Sequence, residues 1–290
     1  MPNLKEVRNR ITSVNSTSQI TSAMKMVSAA KLRRAQDAIT QLRPYATKLK
    51  EVLENVTATM ESSSGSIYAE SRPESNILLI PITSNRGLCG AFNMNVIKLT
   101  NRLIREEFAG KNIHIFPIGK KAYDFYKKGN LSIFKENGEA NALFDKLTFD
   151  NVAPFAQEVM DAFANKRYDK VILIYNRFKN AAVQLPTSEQ LLPVVQSEKA
   201  ISSGTEYIFE PNKEFIVNEL IPKSLKIQFY KALLDSHAAE HGARMTAMHK
   251  ATDNAKELLR TLRISYNKAR QAAITNEILE IVGGANALKG

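Results

Sequence analysis

The chain has 290 residues, 44% of them hydrophobic and 24% charged, the balance of a folded protein with a sizeable core rather than a disordered one. Its longest apolar run, Ile77-Leu78-Leu79-Ile80-Pro81-Ile82, is far short of the ~18–20 residues of a membrane span. A single cysteine, Cys89, excludes an internal disulfide and any Cys-rich zinc site. Met1–Glu6 lacks the apolar stretch of a secretory signal, so the expected compartment is the cytoplasm. The net charge of +11 is unevenly placed. Residues 1–60 hold 10 Lys/Arg against 4 Asp/Glu, and residues 223–290 hold 11 against 6. The middle holds 19 of each, so the whole excess belongs to the two terminal segments.

In chain order, Asn3 and Glu6 form a capping-box-like start. Leu4, Val7, Ile11 and Val14, and then Ile39, Leu42, Leu49, Val52 and Val56, keep a 3–4 spacing that predicts a helix from about 4 to 60 with a possible bend at Pro44. The serine-rich turn Glu61–Ser66 closes it. Next come Ile77–Thr83, Asn112–Ile118 and Lys170–Arg177 as buried strands. Ala91–Phe108, Lys120–Lys128 and Pro154–Asn165 are the helices between and after them, and the alternation predicts a doubly wound, mostly parallel sheet. Val183–Leu185 and Tyr207–Phe209 are candidate edge strands. After Pro222 there is no further proline, and Met245, Met248, Thr252, Ala255, Leu259, Leu262, Tyr266, Ala269 and Ala273 form a four-heptad seam. Gly242, costing ~1 kcal/mol in a helix interior, is its weak point.

Helix length sets the expected architecture. At ~1.5 Å per residue, residues 4–60 span roughly 85 Å and residues 223–288 roughly 100 Å. A middle segment of this size folds to a radius of gyration of only ~15 Å. Both helices should therefore project from it and pair antiparallel, with roughly 14 Å of the longer one overhanging. The expectation is a long antiparallel coiled coil of N- and C-terminal helices (1–60 and 223–290) plus a central doubly wound, Rossmann-like α/β domain (61–222).

Three constellations carry candidate chemistry. Thr83-Ser84-Asn85-Arg86-Gly87-Leu88-Cys89-Gly90 follows a strand and opens a helix, where phosphates often bind. It lacks the Lys-Ser/Thr ending of a Walker loop and the third glycine of a dinucleotide fingerprint. A tight turn, or a protein contact through Arg86, is the favoured reading, with Cys89 a small buried hydrophobe. His237-Ala238-Ala239-Glu240-His241 matches the H-x-x-E-H pattern of inverted zinc peptidases. With no third ligand or cleft in view, a solvated helix face is the favoured reading there. His114 and His249 find no catalytic partner by sequence. Finally, Lys25, Lys31, Arg33, Arg34, Arg260, Arg263, Lys268 and Arg270 suit nucleic acid, a merely solvated coiled-coil surface, or an acidic protein partner around the helix pair.

The sequence from Arg10-Ile11 through Gln19-Ile20-Thr21-Ser22-Ala23-Met24-Lys25-Met26-Val27-Ser28-Ala29-Ala30-Lys31-Leu32 resembles the opening helix of the gamma subunits of rotary ATP synthases. The loop from Thr83 to Gly90 is similar to that family's central loop, with Asn85 where the family commonly has Asp. Glu240–Met248, Tyr266–Ala272 and Ile274–Ile278 resemble its closing helix, with Gly242 where a small non-glycine residue is usual. The resemblance runs end to end and absorbs the zinc-like pattern. It implies a non-catalytic rotor stalk without a cofactor, set inside a ring of three alpha and three beta subunits and coupling ion flow through the c-ring to ATP synthesis. Residues matching the contacts with the beta subunits are Met24, Lys25, Arg270, Gln271 and Thr275. Tyr207, Phe209 and Glu210 match a segment that contacts epsilon and the c-ring, and Arg86, Gly87, Cys89 and Gly90 match the structural loop. The implied location is the cytoplasmic face of the bacterial inner membrane.

Overall fold

The computed structural model describes residues 4–58, 67–129, 131–134, 138–194 and 213–287. The described residues within 1–28 and 245–290 form one compact unit, and those within 29–244 form another. The elements are α1 (Leu4–Ala58), a 3-10 turn (Ile67–Ala69), β1 (Asn76–Pro81), α2 (Phe92–Glu106), β2 (Asn112–Ile115), α3 (Lys120–Tyr126) and β3 (Ser132–Ile133). A second 3-10 segment (Glu139–Phe144) leads to α4 (Phe149–Ala164), β4 (Lys170–Phe178), β5 (Gln184–Leu192) and α5 (Lys213–Ala287).

In the larger unit the strands lie in the order β3-β2-β1-β4-β5. All neighbours are parallel except β4 and β5, which pair antiparallel. The central strand Asn76–Pro81 is apolar nearly throughout because it is covered on both faces. Alternate residues face opposite layers. Leu78, Ile80, Leu173 and Tyr175 pack with Val152, Ala156, Val159 and Phe163 of α4 and with Ile221, Leu225 and Phe229 of α5. Ile77, Leu79, Ile172 and Ile174 pack with Val96 and Leu103 of α2 and Ala122 and Tyr126 of α3. The doubly wound expectation is met.

Three boundaries move. The closing helix begins at Lys213, not 223, and carries Pro222 inside it. Proline breaks one helical hydrogen bond, but Ile221, Leu225 and Phe229 on either side are buried against the sheet and hold the helix there. For the same reason α4 starts at Phe149, five residues before Pro154, with Val152 buried in its first turn. The strand expected over Val183–Leu185 is the beginning of the nine-residue β5, whose Gln184-Leu185-Pro186-Thr187-Ser188 is too polar to read as a buried strand. The expected turn Glu61–Ser66 and edge strand Tyr207–Phe209 lie outside the described residues.

In the smaller unit the two helix segments run antiparallel. Thr21 meets Thr252, and Lys25 meets His249. Met248, Thr252, Ala255 and Leu259 are buried, and Met245, Leu262, Tyr266, Ala269 and Ala273 are half-buried, so the heptad seam lies where its spacing places it. Opposite them are Val7, Ser18, Thr21 and Ser28, all buried.

Candidate functional site

In a sheet ordered 3-2-1-4-5, the chain steps outward from β1 on one side and restarts with β4 on the other. The crevice beyond the carboxyl ends of β1 and β4 is the place where doubly wound proteins bind ligands. Its first lip is the loop 83–90. Thr83 is fully buried, and its hydroxyl oxygen accepts from the Ala122 amide at 2.9 Å. Gly119 has φ +95, and a Cβ there would lie 2.1 Å from the Thr83 carbonyl oxygen, so only glycine fits. The Ser84 amide donates to Asn93 Oδ1 at 2.9 Å, and the Ser84 hydroxyl to the Arg86 carbonyl at 2.7 Å. Asn85 donates to the Asn141 carbonyl at 2.7 Å and accepts from the Lys120 amide at 3.0 Å, tying the loop to the start of α3. Cys89 is 1% exposed, burial pushes its thiol up, and Asn93 Nδ2 donates to its sulfur at 3.2 Å. It behaves as the small buried residue expected.

The crevice is filled by the protein's own helix. The Arg244 guanidinium donates to the Gly87 carbonyl and, at 3.3 Å, to the Arg86 carbonyl, while pairing with Glu240. A phosphate cradle presents backbone N–H groups; this loop instead turns carbonyl oxygens toward a cation. On the opposite lip, a Cβ at Gly242 would lie 3.2 Å from both the Cα and the carbonyl oxygen of Ala181, and 3.5 Å from the Phe178 ring. Gly242 is therefore the point where helix and turn touch, which corrects its reading as a mere weak spot. Arg43 of α1 adds a second tie, donating to the Phe178 carbonyl at 3.3 Å and to Asp235 at 3.2 Å. Asp235 is 1% exposed; burial raises its pKa and Arg43 opposes the shift.

The zinc-like motif sits in the same packed region. His241 and Glu240 are buried and His237 is half-buried, so the expected solvated face is corrected. The two imidazoles lie Nε2 to Nε2 at 3.1 Å, and His237 stacks on Phe144. Burial lowers His237 to about 4 and His241 to about 3, with Lys31 adding to both shifts. Burial pushes Glu240 up against the pull of Arg244. Glu240 is thus committed to an arginine rather than poised as a general base. Among the described residues, no group of three or more His, Cys, Asp or Glu side chains is placed to hold a metal ion. His114, unpaired in the sequence reading, lies 3.3 Å from the Tyr168 hydroxyl.

On the coiled coil, Lys25 lies 3.5 Å from His249 Nδ1, and His249 in turn lies 3.3 Å from Asp253. Met24 is half-buried, whereas Arg270, Gln271 and Thr275 are exposed and the Thr275 hydroxyl donates to the Gln271 carbonyl at 2.9 Å. An open groove of about 500 Å³ is bordered by Asn15, Lys256, Arg260, Arg263 and Asn267, so the excess charge faces solvent. From Ile274 to Asn286 every residue is exposed, including Ile278, Ile281 and Val282. Tyr207, Phe209 and Glu210 lie outside the described residues. The Arg244 clamp and the Ser/Thr seam were missed by sequence reasoning. A carbonyl acceptor leaves no mark on residue identity, and polar seam positions break the apolar period.

A doubly wound body with its crevice closed by its own helix, and a basic helix pair offering exposed surface, define a protein that works through contacts with other proteins. The family model described as ATP synthase matches residues 3–288. Relatives include the ATP synthase gamma chains of Flavobacterium johnsoniae, 61% identical over 293 residues, and of Christiangramia forsetii, 56% identical over 290, each covering 100% of both chains. Among solved structures, a chain of the Tetrahymena thermophila mitochondrial ATP synthase central stalk and c-ring has a TM-score of 0.58 at 29% identity, covering 80% of this chain and 99% of its own. A chain of the Euglena gracilis mitochondrial enzyme, at 23% identity and TM-score 0.65, covers 98% of this chain and 94% of its own and shows the same fold. The chain belongs to the ATP synthase gamma chain family.

Proposed function

We propose that this chain is the central rotating stalk of a bacterial ATP synthase, coupling ion flow through the c-ring to ATP synthesis by turning within a ring of three alpha and three beta subunits. The helix pair of residues 1–28 and 245–290 serves as the shaft, and the unit of residues 29–244 is the body that meets epsilon and the c-ring, through Tyr207, Phe209 and Glu210. The chain itself catalyses nothing; ATP chemistry belongs to the beta subunits. It works at the cytoplasmic face of the inner membrane as a peripheral subunit, and no described helix is long and apolar enough to cross a membrane.

Family membership aside, the observation that carries this reading is the bare end of α5. Ile278, Leu279 and Ile281 are 55%, 62% and 70% exposed on a stretch of helix, residues 274–286, that is exposed throughout among the described residues. An apolar surface of this kind marks an interaction site, and an enclosing protein sleeve suits it because no charge interrupts Ile281–Ala287.

Two unlike helices have no three-fold symmetry, so three surrounding catalytic subunits each meet a different face. A shaft face shifts a subunit only by its differential affinity for that subunit's states. Moving a two-state subunit from 1:99 to 99:1 takes ~5.5 kcal/mol, the size of two or three charged hydrogen bonds at ~1.5–3 kcal/mol each. Arg270 and Gln271, with Lys25, Met24 and Thr275, supply these contacts to acidic loops of the ring. Replacing Arg270 and Gln271 together by alanine should lower ATP synthesis in reconstituted vesicles; unchanged synthesis would remove them from this role.

A further inference from the structure

We infer that Arg244 is the clamp through which the closing helix grips the α/β body, so that twist applied to the helix enters the sheet at the crevice where a doubly wound protein otherwise holds its ligand. The inference rests on the stalk reading above. α5 is one unbroken helix from Lys213 to Ala287, and the compact body unit ends at Arg244. Arg244 is thus the last α5 residue of the larger unit.

Its side chain is only 9% exposed, and its fork ends on two successive carbonyls, those of Arg86 and Gly87. What it grips is stiff. The loop is braced by Asn93 on the Ser84 amide and the Cys89 sulfur, and by Asn85 on α3 and the Asn141 carbonyl. Glu240, one turn earlier and 11% exposed, holds the guanidinium in the direction of the loop. Gly242 against Ala181, with Asp235 tied to Arg43, forms the second hold on the opposite lip. A lysine cannot reproduce the grip, since its point-like ammonium lacks the planar fork that spans two acceptors. Arg244 is thus a positioning residue for energy coupling.

The test uses complexes of this chain with alpha and beta subunits, and the holoenzyme in vesicles. In Arg244→Gln, amide exchange over residues 84–90 should quicken about tenfold or more, the factor set by losing charged hydrogen bonds. With the catalytic ring immobilised, the thermal angular variance of a probe on the body should widen measurably, because packed interiors transmit strain and one hold is lost while the core packing of Ile221, Leu225 and Phe229 remains. ATP hydrolysis without load should match wild type, while ions pumped per ATP should fall, with Arg244→Lys intermediate. Faster exchange with unchanged variance and pumping overturns the inference, as does unchanged exchange. Should Arg244→Gln fail to assemble, Arg244→Lys decides by the same readings. Failure of the wild-type chain to assemble or rotate with alpha and beta refutes the stalk reading instead.

Discussion

Gly242 separates two ways of reasoning about a glycine in a helix. Propensity alone says that Gly242→Ala stabilises the chain by about 1 kcal/mol. The added methyl, however, would stand 3.2 Å from the Cα and the carbonyl oxygen of Ala181, closer than the ordinary 3.4–4 Å contact, and 3.5 Å from Phe178. Ala181 cannot move alone. Its carbonyl accepts from Gln184 Nε2 at 3.0 Å, and the adjacent Asn180 side chain accepts from the amides of Ala182 and Val183 at 3.0 and 2.7 Å. Forcing a methyl into a packed contact typically costs ~1–3 kcal/mol. The sum for alanine is therefore zero to about 2 kcal/mol of destabilisation, and the branched side chain of Gly242→Val should lose more. Urea unfolding of the full chain measures both, at unchanged m-value. Gly283, where a Cβ meets nothing within 4 Å, is the control for propensity without contact. A gain of about 1 kcal/mol in Gly242→Ala would refute the contact argument.

Three further outcomes are expected. His237 and His241 are held neutral, at about 4 and about 3 against an ordinary 6.5, so their contribution to stability is intact above pH 6.5 and lost as pH falls toward 4. At pH 5 each costs about 2 kcal/mol by linkage; Glu240 and Asp235, raised by burial, act in the opposite sense. Urea unfolding at pH 7 and pH 5 should therefore show a loss that shrinks in His237→Asn/His241→Asn, and an equal loss in both proteins would contradict the assignment. Asn85→Asp removes the donor to the Asn141 carbonyl and sets a carboxylate against it, so it should cost about 1–3 kcal/mol by the same assay. Thr21 and Thr252 have hydroxyl oxygens 2.8 Å apart in the coiled-coil seam. Each hydroxyl also bonds a carbonyl of its own helix, Thr21 that of Ser18 at 3.1 Å and Thr252 that of Met248 at 2.8 Å, so either single change to valine should cost about 1 kcal/mol and the pair less than the sum, by the one bond they share; additive losses in a double-mutant cycle would refute direct pairing.

How much was legible follows from what carries each feature. The sheet was readable because apolar runs such as Ile77–Ile82 mark strands buried on both faces. The seam from Met245 to Ala273 was readable because its spacing is set by helix geometry alone. Pro154 and Pro222 misled for one reason: local preference treats proline as a boundary, whereas buried neighbours on both sides keep the helix going. The crevice was legible only in part. The glycines and the missing Walker lysine argued against nucleotide from residue types, but the long-range partner of that loop, 157 positions away, has no local signature. His237 and His241 looked solvated because their spacing fixes a helix face without saying what covers it.

The opening helix carries a further step. Val7, Ile11, Val14, Ser18, Thr21, Lys25, Ser28, Leu32, Ala35, Ile39, Leu42 and Leu49 keep one 3–4 period, yet only its two ends are apolar enough to be noticed. The polar middle is nonetheless buried at Ser18, Thr21 and Ser28. A seam of serine and threonine gives up apolar burial worth roughly 0.8 kcal/mol per CH₂ lost. In exchange, small residues let two helices approach closely, and polar seam groups specify register at a cost in stability. Thr21 facing Thr252 is such a marker, since a slip of one turn would lose the bond between the two hydroxyls. Lys25, half-buried at the edge of this seam, and Arg270, exposed beyond it, show that the basic residues lie beside a seam that favours register over greatest stability.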